Sequence, residues 1–167
     1  MCKAIPLEIL SIMENKNDRP LVSFIVTTYN LPTTLLCECL QSILSLSLSK
    51  EEREIIVVDD GSEVSPLNDL VELRDKIVYV RQRNKGLSEA RNMGLVCAQG
   101  KFIQFVDGDD YLIQAPYEHC LDIARYKDAD IILFHETEEE QPEVPFECNG
   151  PMTGSAYMHQ YNLRASA

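Results

Sequence analysis

Four short apolar, β-branched runs dominate the chain, and each ends in a cluster of polar or charged residues. Leu21–Thr28 leads into Tyr29 and Asn30. Glu54–Asp59 leads into Asp60-Gly61-Ser62, Ile77–Arg81 into Arg83, Asn84 and Lys85, and Phe102–Val106 into Asp107-Gly108-Asp109-Asp110. Continuous apolar runs of this length read as strands buried on both faces, not as the alternating strands of a half-exposed sheet. Helical stretches separate them. Pro32 opens one in which Leu36, Leu40, Ile43 and Leu44 share a face; Leu67–Leu73 is a short helix; Leu87–Ala98 is helical between Gly86 and Gly100; and Pro116–Lys127 has Leu121 and Ala124 among its apolar positions. A fifth strand is expected at Ile131–Phe134. Strand alternating with helix predicts an α/β fold, a mostly parallel sheet with helices on both faces. Residues 1–19 read as an N-terminal arm or short helix, 20–135 as the α/β domain, and 136–167 as an irregular acidic tail containing prolines.

The charge balance narrows the partners. With 15 Lys and Arg against 27 Asp and Glu, the net charge is −12, the wrong sign for a phosphate-backbone partner or an anionic membrane patch. No nucleic acid is expected. No apolar stretch approaches the roughly 20 residues of a spanning helix, so no transmembrane segment is expected either. At 167 residues and 45% hydrophobic content the chain can build one core. Its six cysteines include no Cys-x-x-Cys pair, several sit inside apolar helical patterns, and there is no signal-like start. Together these point to a reduced, cytoplasmic protein.

In open α/β sheets, ligands bind outside the carboxyl ends of the strands. Those ends here deliver hydrogen-bonding groups (Thr27, Tyr29, Asn30), carboxylates (Asp59, Asp60), cations (Arg81, Arg83, Lys85, and Arg91 in the following helix) and carboxylates again (Asp107, Asp109). That is the outline of a site for a polyanion and a metal. Asp107 and Asp109 flank Gly108, which lets the backbone approach closely or adopt positive φ. Two carboxylates suit a hard cation, Mg²⁺ or Mn²⁺, that completes its shell with water and substrate phosphates; a plain solvated turn fits the same letters. Asp59 and Asp60 point in opposite directions on an extended chain, so one can face a ligand while the other braces the loop or caps a helix. The basic residues suit a diphosphate, Arg91 more than Arg81 and Arg83, whose simpler reading is a solvated surface. No Walker sequence and no G-x-G-x-x-G occurs.

Taken in order, VSFIVTTYN, EIIVVDDGS, RNKGLSEARNMG and FIQFVDGDDYL resemble the nucleotide-sugar half of the family 2 inverting glycosyltransferases, over about residues 20–135. The resemblance implies a Rossmann-like GT-A sandwich that binds a nucleoside-diphosphate sugar, a UDP-sugar first among them. It implies that Thr27 and Tyr29 line the nucleoside pocket and that Asp60 meets the base with Asp59 nearby. Arg91 would approach the diphosphate, and Asp109 would hold the metal with help from Asp107. The acceptor implied is a glycan or lipid-linked sugar in polysaccharide synthesis, handled in the cytoplasm or at the cytoplasmic face of the membrane.

The family's general base, often marked by a Glu-Asp pair, lies further along than any motif here. The tail offers only His135, Glu136 and Glu138–Glu140, which follow a strand too early for that position. The sequence therefore looks like a donor-binding domain cut short of its acceptor half, expected to bind donor but to transfer poorly. Two rivals keep the same residues. A non-catalytic nucleotide-binding module would bind without transfer to any acceptor. A metal-dependent phosphohydrolase would use the Asp-x-Asp as nucleophile and acid and release phosphate from simple monoesters.

Overall fold

The computed structural model describes residues 19–134 and 150–156. Nearly all of the expected N-terminal arm, most of the tail, and His135, Glu136 and Glu138–Glu140 lie outside the described residues. Four strands form one parallel sheet: β1 (Val22–Thr28), β2 (Arg53–Asp59), β3 (Val78–Arg81) and β4 (Phe102–Asp107), in the order β3-β2-β1-β4. Three helices connect or follow them: α1 (Thr33–Leu44), α2 (Leu87–Cys97) and α3 (Gln114–Tyr126).

Every residue of β1 is buried, because β1 is central and covered on both sides. On one face Phe24, Val26, Ile55 and Val57 pack against Leu36, Leu40 and Ile43 of α1 and Tyr117 and Leu121 of α3. On the other, Ile25, Ile56 and Val58 pack against Ala90 of α2, with Met93 and Cys97 beside them. The unbroken β-branched runs of β1 and β2 follow directly from this double burial. α2 lies chiefly over β1 and β2 and leaves most of β4 open on that side, so Ile103 and Phe105 remain 39% and 38% exposed.

Two expectations fail. Leu67–Leu73 is not one helix but two 3-10 turns, Pro66–Asn68 and Val71–Leu73. Ser65 caps the first through Leu67 N–H, and Leu70 and Leu73 sink into the core without a continuous helix between them. Ile131–Phe134 is not a strand. Ile131, Leu133 and Phe134 are 77%, 62% and 48% exposed, and the segment makes no ladder with β4. An apolar run supplies side chains for a strand, but only a neighbouring edge in register makes it one. Phe134 instead sets its ring edge-on against Tyr117, 5.7 Å between centroids. α3 begins two residues before the expected Pro116, which falls in the first turn, where its missing N–H has no helical partner to lose.

Candidate active site at the carboxyl edge of the sheet

The strand order reverses between β1 and β4: the chain builds outward to β3, then crosses to the far side of β1. The crevice at such a switch point is where open α/β sheets bind ligands. The register brings the polar strand ends level, with Thr27 opposite Asp107, Thr28 opposite Asp59, and Asp59 opposite Arg81.

At the switch point Asp107 Oδ1 accepts hydrogen bonds from Thr27 Oγ1 at 3.2 Å and from an Arg91 guanidinium nitrogen at 2.8 Å. Arg91 reaches it from α2, its guanidinium 5.7 Å from the centre of the Phe105 ring. The backbone turns immediately after. Gly108 N–H donates to Thr27 O at 2.9 Å, and a Cβ on Gly108 would stand 2.8 Å from that same oxygen. Close approach, not positive φ, is what demands glycine here. Asp109 and Asp110 follow on the exposed surface. Beneath the turn lies Cys39, whose thiol donates to the Asp107 carbonyl at 3.7 Å. Burial, reinforced by the carboxylates of Asp110, Asp109 and Asp107, pushes that thiol up to about 12. It is a buried neutral neighbour of the site, not a nucleophile.

The Asp59-Asp60 pair is built differently. Asp59 is wholly buried, and both its oxygens are engaged. Oδ1 accepts from Ser62 N–H at 2.8 Å; Oδ2 accepts from the Tyr79 hydroxyl at 2.7 Å and pairs with Arg81 Nε at 3.3 Å. Asp60, 4% exposed, turns the other way, as adjacent residues of a strand must. Its Oδ1 accepts from Gln82 Nε2 at 2.7 Å and Lys85 N–H at 3.0 Å, and its Oδ2 from Gly86 N–H at 2.8 Å. Burial works to raise its pKa, but the three hydrogen bonds and the Lys85 charge outweigh it and hold the carboxyl below its usual range. Gly61 makes the turn between the two networks, with φ +82° and Asn84 N only 2.7 Å from where a Cβ would sit.

Asn30, at φ +49°, ties the first loop to the second: its N–H donates to Ser62 Oγ at 2.9 Å and its Oδ1 accepts from Glu63 N–H at 2.8 Å. These bonds border a cleft of about 500 Å³ lined by Asn30, Pro32, Thr33, Ser65 and Asp69 among others. Tyr29, half exposed, stands at the end of β1, and Lys85 is exposed after β3. Arg81 is exposed, as its solvated reading expects, but it is also engaged, pairing with Asp59 and donating to Ser62 O. Sequence reasoning missed Tyr79, Gln82, Ser62 and Phe105. The first two sit in and just after β3, where one strand or loop residue looks like another until the register sets what it faces.

The donor set fits a hard cation. Among the described residues only Oδ1 of Asp107 is hydrogen-bonded, and Asp109 is exposed beside it. No group of three or more His, Cys, Asp or Glu among the described residues makes a closed cage. Two carboxylates with room for water and phosphate oxygens are what Mg²⁺ or Mn²⁺ takes in nucleotide sites. No helix among the described residues is long and apolar enough to cross a membrane.

Known proteins resemble this chain in sequence and fold. The family model described as Glycosyl transferase family 2 matches residues 23–147. The uncharacterized glycosyltransferase EpsJ of Bacillus subtilis is 36% identical over 134 residues, which cover 75% of this chain and 38% of that relative. S. aureus TarS in complex with UDP-GlcNAc matches with a TM-score of 0.53 and 30% identity, over 62% of this chain and 31% of that one. The mannosyltransferase PcManGT of Pyrobaculum calidifontis, in complex with GDP-Man and Mn²⁺, matches with a TM-score of 0.52 and 27% identity, over 63% and 31%. The match thus spans 38% of EpsJ, 31% of residues 1–349 of TarS (19% of the longer TarS structure) and 31% of PcManGT. A parallel sheet with polar groups gathered at its switch point, and a family model that covers most of the sequence, make this chain a member of the family 2 glycosyltransferases, with the GT-A type of α/β fold.

Proposed function

We propose that the carboxyl edge of this sheet binds a nucleoside-diphosphate sugar, a UDP-sugar by preference, as the donor for inverting transfer to a hydroxyl of a glycan or lipid-linked sugar. The observation that carries this reading is the Thr27–Asp107–Arg91 network at the switch point, with Asp109 exposed beside it. The nucleotide sugars held by TarS and PcManGT support the donor class, and the TarS complexes with UDP-GlcNAc and with UDP support a uridine donor.

In this reading Tyr29 and Asn30 border the nucleoside; Asp60, expected to meet the base, has both carboxylate oxygens taken by Gln82, Lys85 and Gly86 and instead fixes the loop that carries Lys85 towards the diphosphate. Asp59 braces that loop from below. Asp109 with Asp107 would hold a divalent cation, which would supply charge neutralisation for the departing diphosphate. Thr27 and Arg91 hold the Asp107 carboxylate in place before the donor arrives. Each strand-end carboxylate then has a task other than deprotonating the acceptor. Thermal unfolding of this protein with UDP, UDP-GlcNAc, GDP and GDP-mannose, each with and without Mn²⁺, tests the reading. A ligand at one hundred times its Kd stabilises by about 2.7 kcal/mol. The uridine ligands with Mn²⁺ should give the largest shift, and no shift with any nucleotide would overturn the proposal.

A further inference from the structure

Asp107 is paired before any cation reaches it. Arg91 contacts only Oδ1, through one guanidinium nitrogen, where a structural Arg–carboxylate pair is commonly bidentate. Its Nε is buried without a hydrogen-bond partner among the described residues, an arrangement that native interiors seldom keep without a reason. The two side chains stay 37% and 39% exposed, so nothing locks them together. Phe105 offers its ring to the guanidinium at 5.7 Å, a cation–π contact that holds it over β4. Thr27 donates to the same Oδ1, which keeps the carboxylate from turning as the arginine comes and goes.

A guanidinium and a divalent cation cannot both sit against one carboxylate at full strength, since the two positive charges repel. We propose that Arg91 is a placeholder cation: it neutralises Asp107 while the metal is absent and gives the carboxylate up when metal and nucleoside diphosphate arrive together. The inference rests on the donor-and-cation reading of the Asp107–Asp109 turn. Metal alone, reaching the open Oδ2, meets the guanidinium's charge across the same carboxylate, and a guanidinium pushed away has nothing to receive it, so metal binding without nucleotide is weakened. A diphosphate supplies the oxygens the released guanidinium needs, so each ligand favours the other by the same factor, as linkage requires. Arg91 is on this account a positioning residue that makes metal and donor enter as a unit.

The test is Mn²⁺ binding to the 167-residue protein, followed by the EPR signal of free Mn²⁺, with and without UDP. Arg91→Gln should raise nucleotide-free Mn²⁺ affinity by about threefold to tenfold, the range for a half-exposed charged pair, and shrink the factor by which UDP raises it. Phe105→Leu, which loosens the arginine without removing it, should move nucleotide-free affinity the same way by about twofold. It keeps the test open if Arg91→Gln folds poorly. Arg74→Gln removes an exposed charge in the turn ahead of β3, outside the site, and should leave Mn²⁺ affinity unchanged. Unchanged affinity in both Arg91→Gln and Phe105→Leu, or an equal gain in Arg74→Gln, overturns the placeholder while leaving the donor reading intact. No coupling between Mn²⁺ and UDP in the unmodified protein overturns the donor reading itself.

Discussion

The turn after β2 reads Asp59-Asp60-Gly61 and the turn after β4 reads Asp107-Gly108-Asp109. In the first, both carboxylates are buried, and together they accept hydrogen bonds from Ser62, Tyr79, Gln82, Lys85 and Gly86. In the second, one carboxylate is half engaged and the other exposed. The same side chains are committed to the fold in one turn and left open in the other. Position decides which. The β2 turn lies between β1 and β3 and is covered by the loops of both, whereas the β4 turn follows the outermost strand on its side among the described residues. A carboxylate walled in by backbone N–H groups is committed to them; one at the edge is left for a solute.

Stability should separate the two turns, and four substitutions sharpen the contrast in falling order. Asp59→Ala leaves Ser62 N–H and the Tyr79 hydroxyl without their buried acceptor and strips Arg81 of its partner. The expected loss is about 3 kcal/mol, read as a lower urea midpoint at unchanged slope. A loss under about 0.5 kcal/mol, the usual size for a surface change, would make Asp59 an open ligand after all.

Asp60→Asn should cost about 2 kcal/mol at neutral pH, because the amide weakens bonds that the charge strengthens. That cost carries a pH signature. The Asp60 carboxyl is held below its usual range in the folded protein. Its contribution is therefore complete above the unfolded value of about 3.9 and fades as pH falls from there through the lower folded value. Parent and Asp60→Asn should converge in stability at acid pH. A gap that stays constant below pH about 4 contradicts the assignment.

Tyr79→Phe removes one hydroxyl from the brace, where it bonds Asp59 and Ser65. About 1 kcal/mol is expected. A double-mutant cycle with Asp59→Ala should show the two effects to be strongly non-additive, since they share one network; simple additivity would mean the hydroxyl works elsewhere.

Much of this organisation was legible in the letters. The unbroken runs of β1 and β2 announced double burial, and the polar ends of four strands announced one edge. Pairing was not legible. Ile131–Phe134 has strand composition, yet strand identity depends on a partner edge that no local pattern encodes. The Leu67–Leu73 stretch has helical spacing, yet Pro66 and the capping Ser65 favour tight turns that sink Leu70 and Leu73 separately. Within the Asp59-Asp60 pair, alternation says that the two side chains part company, but only the register of β3 shows that Tyr79 and Arg81 meet the first and Gln82 the second. Arg91 was legible as a cation for the site. Its contact with Asp107 was not, because sixteen residues of helix and strand separate them.

The smallest expected change in stability belongs to Asp109→Asn, within about 0.5 kcal/mol for an exposed turn residue, and the same variant gives the sharpest functional test. Calorimetric titration of UDP into this protein and into Asp109→Asn, each with and without Mn²⁺, measures whether the open turn is where cation and nucleotide meet. The account predicts that Mn²⁺ tightens UDP binding to the unmodified protein by tenfold or more, about 1.4 kcal/mol of coupling. It predicts that Asp109→Asn removes most of that gain while its unfolding midpoint stays where it was. Full Mn²⁺ coupling retained in Asp109→Asn would contradict the claim that the turn after β4 is the open half of this edge.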